Sequence, residues 1–337
     1  MNRPSLVSIV PLAHPYNSIY LQAKMMHEAL GSYFDTSPGL TLAKGRVPAD
    51  ITLVHYGSFD RHARQLSGVR GSVFVFHGIT PALESLPWNP LSAARAFVGY
   101  RQLRKLPKEP GWIALSGFSA GVLRAHGFRR VEEARCLIPT HSEASVRAGS
   151  ARSDLLFVGR ISPSKRPLEL IDVFEHLHDR FPKLTLRIVG AVRKHCWYGR
   201  TFARRVGASR ARSNIVWQSS AISLRELQAL YREALLYVSC SAHEGCGVPI
   251  VEAISFCTPA LYTTCGGTES VLNGVGLLRG RGARERAEEI AGFIGDAAKR
   301  SALLASQRAL LPQFSRDSAG EMLARAIRRL SEPGLAA

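Results

Sequence analysis

One stretch constrains this chain more than any other: LYVSCSAHEGCGVPIVE, residues 236–252. Its first five residues are apolar and rich in Val and Tyr, the pattern of a short strand buried on both faces. Residues 241–247 carry two glycines and read as a turn. From 248 to 256 apolar residues recur at helical spacing, and Pro249 suits a first helical turn. A strand that passes through a glycine turn into a helix leaves free N–H groups at the helix start. These attract an anion, and glycines let it approach the backbone.

Two carboxylates flank that turn, Glu244 before the helix and Glu252 about one turn into it, eight positions apart. Carboxylates repel phosphate, so their partners should be neutral hydroxyls. Phosphate at the turn with hydroxyls on each side describes a nucleotide sugar. The plainer alternative makes Glu252 a surface residue and Glu244 a helix cap. A second junction of the same kind lies upstream in LLFVGRISPSKRPLELIDVF. A buried strand over 155–158 runs into Gly159 and Arg160, and a helix begins near Pro167. Arg160 and Lys165 are five apart, which puts two cations at one strand-to-helix junction.

HEGCGVPIVEA resembles the E-x7-E signature of retaining GT-B glycosyltransferases of the family 4 (group 1) type. By that resemblance Glu244 contacts hydroxyls of the donor sugar and Glu252 the ribose. Arg160 and Lys165 bind the donor diphosphate, where fixed cations in a dry cleft act on the charge that develops as the glycosidic bond breaks. Gly159, Gly245, Cys246, Gly247 and Val248 complete the donor contacts. PALYTTCGGTESVLNGVGLL is similar to the family's GG-x-x-E turn, with Gly266 and Gly267 in place. Glu269 falls one residue early there, and Ser270 stands at the acidic position. Upstream, His77 follows the strand-like SVFVF, where the family often has a His near the transferred sugar. The sequence has His-Gly there in place of the more common His-Asp. The family's glycine-rich loop after the first strand is missing; His14, Pro15, Tyr16, Asn17 and Ser18 occupy that region. ALSGFSAGVLRAHGF resembles the family's Ser-x-x-Ser turn, with Ser116 and Ser119 matching and Ser119 read as a helix cap.

The implied fold is α/β of the GT-B type, two Rossmann-like domains facing a central cleft with a C-terminal helix crossing back. An N-terminal acceptor-binding domain covers 1–145 and a C-terminal nucleotide-sugar domain 153–312. Residues 313–331 form the returning helix. Strand-like segments at 6–10, 40–43, 51–56 and 72–76, with a helix over 18–30, fit a parallel sheet. The Ser-, Ala- and Arg-rich stretch 141–152 reads as the interdomain linker.

With 337 residues and 46% hydrophobic composition the chain can bury two cores. No apolar run spans a bilayer, and Pro11 interrupts the only signal-like segment. Six cysteines without C-x-x-C spacing read as reduced thiols. The formal charge of +18 asks for an anionic partner. Arg101, Arg104 and Lys105 share one face of a helix over 91–106, with Lys108 just beyond it. That face suits an anionic membrane or a lipid-linked phosphate acceptor, or is simply solvated. No nucleic-acid-binding signature accompanies the charge, so no nucleic acid is expected. No Asp-x-Asp occurs, so no metal cofactor is expected.

The expectation is therefore a cytoplasmic, metal-independent, hexosyltransferase-like enzyme, peripheral on the inner face of the membrane. Its partners are a nucleoside-diphosphate sugar and a glycan or lipid-linked acceptor, in surface polysaccharide, lipopolysaccharide or glycolipid assembly. Two other readings stand beside it: a GT-B partner subunit without catalysis, and a basic nucleic-acid-binding protein on a Rossmann scaffold.

Overall fold

The computed structural model describes residues 3–10, 18–37, 40–42, 49–138, 153–192 and 196–331. His14 to Asn17 and the linker 141–152 lie outside the described residues. The chain forms two compact units. The first comprises the described residues of Met1–Ala82, Ala94–Pro139 and Pro312–Ala337. The second comprises those of Leu83–Ala93 and Thr140–Leu311. Residues 83–93, expected with the N-terminal domain, thus pack with the second unit.

In chain order the first half holds β1 (Ser5–Val10), α1 (Ser18–Leu30), β2 (Asp35–Thr36), β3 (Thr41–Leu42), β4 (Ile51–Tyr56), α2 (Ala63–Ser67) and β5 (Ser72–Phe76). It continues with α3 (Ala82–Ser85), α4 (Pro90–Lys105), β6 (Gly111–Ala114), α5 (Gly117–Ala125) and β7 (Val131–Glu133). The second half holds β8 (Asp154–Val158), α6 (Pro167–His178), β9 (Thr185–Val189), α7 (Trp197–Gly207), β10 (Ile215–Gln218) and α8 (Leu224–Glu233). Then come β11 (Leu236–Ser239), α9 (Val248–Ser255), β12 (Ala260–Tyr262), α10 (Gly267–Leu272), α11 (Ala283–Ile294), α12 (Ala297–Arg308) and α13 (Arg316–Ser331).

The first unit is a parallel sheet in the order β2-β1-β4-β5-β6-β7, with β3 also paired to β1. Its central strands read as unbroken apolar runs because helices cover both faces. Trp112 anchors one face, stacked on Phe74 with centroids 4.7 Å apart and packed against Phe128 at the same distance. On the other face α13 packs with α1, burying Leu323, Ile327 and Leu330 against Leu53, Val73 and Ile113. Gly111 allows this: a Cβ there would lie 2.5 Å from the Cβ of Leu330. The last helix therefore belongs to the first unit's core.

The second unit is a five-stranded parallel sheet in the order β10-β9-β8-β11-β12. Counting from β8 this is 3-2-1-4-5, the doubly wound order whose direction reverses between β8 and β11. Its core gathers Leu155, Phe157, Leu170, Phe174, Ile188 and Val238, all buried.

Because α13 closes the first core, replacing its fully buried Ile327 with Ala should cost about 2–5 kcal/mol. Urea unfolding should show this as an earlier transition. An unchanged midpoint would mean that the helix contributes nothing to that core.

Candidate functional site

Ligands of open parallel sheets bind beyond the carboxyl ends of the strands, at the point where strand order reverses. In the second unit that point lies between β8 and β11, the strands that lead into the two motifs read from the sequence. β8 passes into Gly159, whose N–H donates to Val189 O at 2.9 Å, and then into Arg160, which is exposed. The chain continues into a 3₁₀ turn, Pro163–Lys165. Two hydrogen bonds join this loop to the one after β11. Tyr237 Oη donates to Val158 O at 3.1 Å, and Ala242 N donates to Ser164 O at 2.9 Å. The consequence is a direct ion pair between Lys165 Nζ and Glu244 Oε2.

A third loop completes the arrangement. After β12, Glu244 and Gly266 form a parallel β-bridge. Glu244 N donates to Cys265 O and Gly267 N to Glu244 O, both at 2.9 Å. The approach is too close for side chains. A Cβ on Gly267 would sit 2.0 Å from Gly245 O, and one on Gly247 would meet Thr268 Oγ1 at 2.2 Å. Gly247 has φ +74 and caps α9, so the left-handed turn that begins the helix also requires glycine. Gly245, Cys246, Gly247 and Val248 thus form a compact turn at the start of α9, beside the switch point.

Glu252 occupies α9, and Tyr231 Oη donates to its Oε2 at 2.9 Å. Burial holds the Glu252 pKa up at about 7, partly offset by that hydrogen bond. The same burial, with Glu252 alongside, pushes the Tyr231 phenol well above its ordinary value. The two glutamates of one motif are therefore in different states: Glu244 is paired with a cation, and Glu252 keeps a proton near neutrality. Sequence patterning does not single out Tyr231 or Tyr237, which read as core aromatics. Only their contacts mark them as supports of the site.

Lys165, Glu244, Gly245, Cys246, Gly247, Val248, Glu252, Gly266 and Gly267 come together in the second unit. Glu269 donates nothing to this site, because its Oε2 accepts from Gly266 N at 3.3 Å and caps α10. Ser116, rather than Ser119, caps α5: its Oγ accepts from Ser119 N at 3.2 Å. Cys196, Cys240 and Cys265 are free thiols. Among the described residues no group of three His, Cys, Asp or Glu side chains is placed to hold a metal ion.

His77 lies in the first unit at the end of β5. Its Nε2 is 2.9 Å from Nδ1 of His55 on β4, so the two imidazoles share one proton. Burial lowers both pKa values, that of His77 to about 3, so the pair is neutral at ordinary pH. Arg101, Arg104 and Lys105 are exposed on α4. Lys108 departs from that face, with its ammonium 3.7 Å from the Phe128 ring centroid and part-buried. Leu91, Phe97 and Val98 are exposed on the same helix, 78%, 61% and 43% accessible.

Two parallel-sheet α/β units with this strand-end site define the GT-B glycosyltransferase architecture. Residues 142–303 match the family described as glycosyl transferases group 1. Solved structures share the fold at low identity. WaaG, a glycosyltransferase involved in lipopolysaccharide biosynthesis, aligns with TM-score 0.69 and 15% identity, over 95% of this chain and 99% of its own. Anabaena HepE, in complex with UDP and glucose, aligns with TM-score 0.71 and 14% identity, over 96% and 99%. S. aureus TarM aligns with TM-score 0.59 and 14% identity over 76% of this chain, which spans 55% of TarM's length. No curated protein sequence matches the chain.

The raised pKa of Glu252 predicts a stability profile. An unfolded Glu loses its proton near its ordinary 4.5, whereas the folded one keeps it to about 7. The native state then binds more protons, so this residue's contribution to stability falls as pH rises from about 4.5 to 7 and levels off above. Glu252→Gln should remove that loss. It should match the wild type near pH 4.5 and exceed it by on the order of 3 kcal/mol above pH 7. Denaturant titrations at pH 4.5 and 8 check this; an equal offset at both would contradict it.

Proposed function

We propose that this protein is a retaining glycosyltransferase that moves a hexose from a nucleoside-diphosphate sugar to a glycan or lipid-linked acceptor. The proposed setting is surface polysaccharide, lipopolysaccharide or glycolipid synthesis at the cytoplasmic face of a membrane. The observation that carries the reading is the Lys165–Glu244 pair at the switch point beside the start of α9. It sets a cation and a carboxylate beside the start of α9. The group 1 match of this unit supports it, as do structural relatives whose complexes hold UDP with glucose or with GlcNAc.

In this reading Arg160 and Lys165 take the charge that collects on the departing diphosphate, and the N-terminus of α9 adds its dipole. Those fixed positive groups do the work that a divalent ion would otherwise do, so no metal is required. Glu244 orients the sugar through its hydroxyls and Glu252 holds the ribose. His77, neutral through burial, supplies a hydrogen bond near the transferred sugar rather than a charge. Glu252 needs hydroxyl partners that can exchange with its proton, and a ribose diol provides them.

Thermal shift with UDP-, GDP- and other activated sugars should find one that stabilises the protein. With it, transfer or donor hydrolysis should persist in EDTA, and Lys165→Ala should lower kcat by about 10²–10³-fold. Stabilisation by none, or an unchanged rate in the variant, would overturn the reading.

We also propose α4 as the contact with an anionic membrane surface. Phe97, Val98, Arg101, Arg104 and Lys105 share one face through i, i+3 and i+4 spacing, so cations flank apolar side chains. Vesicles of phosphatidylglycerol should carry the protein upward in a flotation gradient and phosphatidylcholine vesicles should not. Replacing Arg101, Arg104 and Lys105 with Glu should abolish flotation. Equal behaviour on both lipids would contradict a role for the charges.

A further inference from the structure

The second unit holds a cavity of about 390 Å³ that the donor reading leaves unused. Small-molecule sites span about 300–1,000 Å³, so the size suits one sugar ring. Trp88 and Tyr198 line it, with Glu84, Glu169 and Arg166. Trp197 stands beside Trp88, their rings 5.3 Å apart, and is 51% exposed. The edge of Tyr198 packs against Trp88 with centroids 4.9 Å apart, which fixes the indole in place.

Three further features point to a polyhydroxylated ligand. First, the carboxylates are charge-neutralised but not saturated. Arg166 lies 3.7 Å from Glu84 and 3.8 Å from Glu169, beyond hydrogen-bond range. Second, Glu169, which lines the cavity, is anchored through its Oε1, which contacts Arg286, while Oε2 lies 3.8 Å from Arg166. Third, Arg166 sits in the left-handed region, φ 45 and ψ 45, at the N-cap of α6. A non-glycine residue there is strained, and such strain persists where surrounding structure holds it and often marks a ligand site. Indole faces carry negative potential and pack against the C–H faces of a pyranose. Spaced carboxylates and a guanidinium accept and donate to vicinal hydroxyls.

We infer that this pocket binds a pyranose of the acceptor, stacked on Trp88 and Trp197 and hydrogen-bonded by Glu84, Glu169 and Arg166. Its role as acceptor subsite rests on the glycosyltransferase reading; its affinity for sugar does not. Arg166 directly follows Lys165, so one loop serves both the departing diphosphate and the incoming sugar. The acceptor then presents a saccharide to the enzyme rather than a bare lipid phosphate.

Isothermal titration and saturation-transfer NMR on the intact protein test this with four probes: the methyl α-glycosides of glucose, galactose and mannose, and N-acetylglucosamine. At least one should bind saturably at millimolar concentration and remain bound when UDP is saturating. Trp197→Ala and Glu84→Gln should each weaken it at least tenfold while UDP affinity stays unchanged, which shows that both variants are folded. The pocket proposal fails if no probe binds, if UDP displaces the sugar, or if neither variant weakens it. UDP titration of the same samples separates the two readings. UDP binding without sugar sinks the pocket alone, whereas sugar binding with neither UDP nor GDP bound in parallel titrations leaves the pocket and sinks the donor site.

Discussion

The parallel pairing of β8 with β11 is the constraint on which the site depends. Leu155 pairs with Leu236 and Leu156 with Tyr237, partners 81 positions apart in the chain. Parallel strands end on the same side, so their following loops must emerge together. That register delivers the Gly159–Lys165 loop and the Ser241–Gly247 turn to one place. A slip of one residue would turn every side chain of β11 to the opposite face and remove the Tyr237 hydrogen bond to Val158. The catalytic proposal therefore stands on a sheet register rather than on any single polar contact.

Within that frame the charges are arranged for exchange. A buried ion pair gains little net stability, because desolvation offsets most of its attraction. Lys165 and Glu244 hold each other in position without a deep energetic commitment. Glu252 follows the opposite logic. Burial disfavours its charge, and Tyr231 donates a hydrogen bond to it. The sequence repeats the same residue type eight positions apart, and the fold gives the two copies different electrostatic tasks.

What could be read beforehand followed from local pattern. The strands at 51–56 and 72–76 and the helix over 18–30 emerge with those bounds, because period and breakers are local properties. The motif residues of the second unit also assemble, since each follows a strand end that a parallel sheet must collect. What was not legible depends on distant partners. Tyr231 looks like any core aromatic until Glu252 is placed beside it. Ser116 and Ser119 are equally good caps in sequence, and only the backbone path chooses Ser116. Lys108 has the spacing of a solvated cation, yet Phe128 draws it onto a ring. Glu269, one residue out of register with the family pattern, is taken by the N-terminus of its own helix. The segment 83–93 has no periodicity that assigns it to the second unit. Its aromatic contact with α7, through Trp88, is a tertiary fact.

The two units also divide the chemistry by charge. The second concentrates permanent charges at its strand ends, with Arg160, Lys165 and Glu244 set by loops that β8, β11 and β12 define. The first unit presents at the end of β5 a histidine pair that burial keeps uncharged. His55 has its Nε2 buried without a hydrogen-bond partner, so its ring is held by packing and by the single bond to His77. A charged imidazole there would have to leave water for a buried sheet, and that burial lowers both pKa values. Neutrality is thus imposed by the sheet itself. A group held neutral in this way can orient a hydroxyl by hydrogen bonding alone.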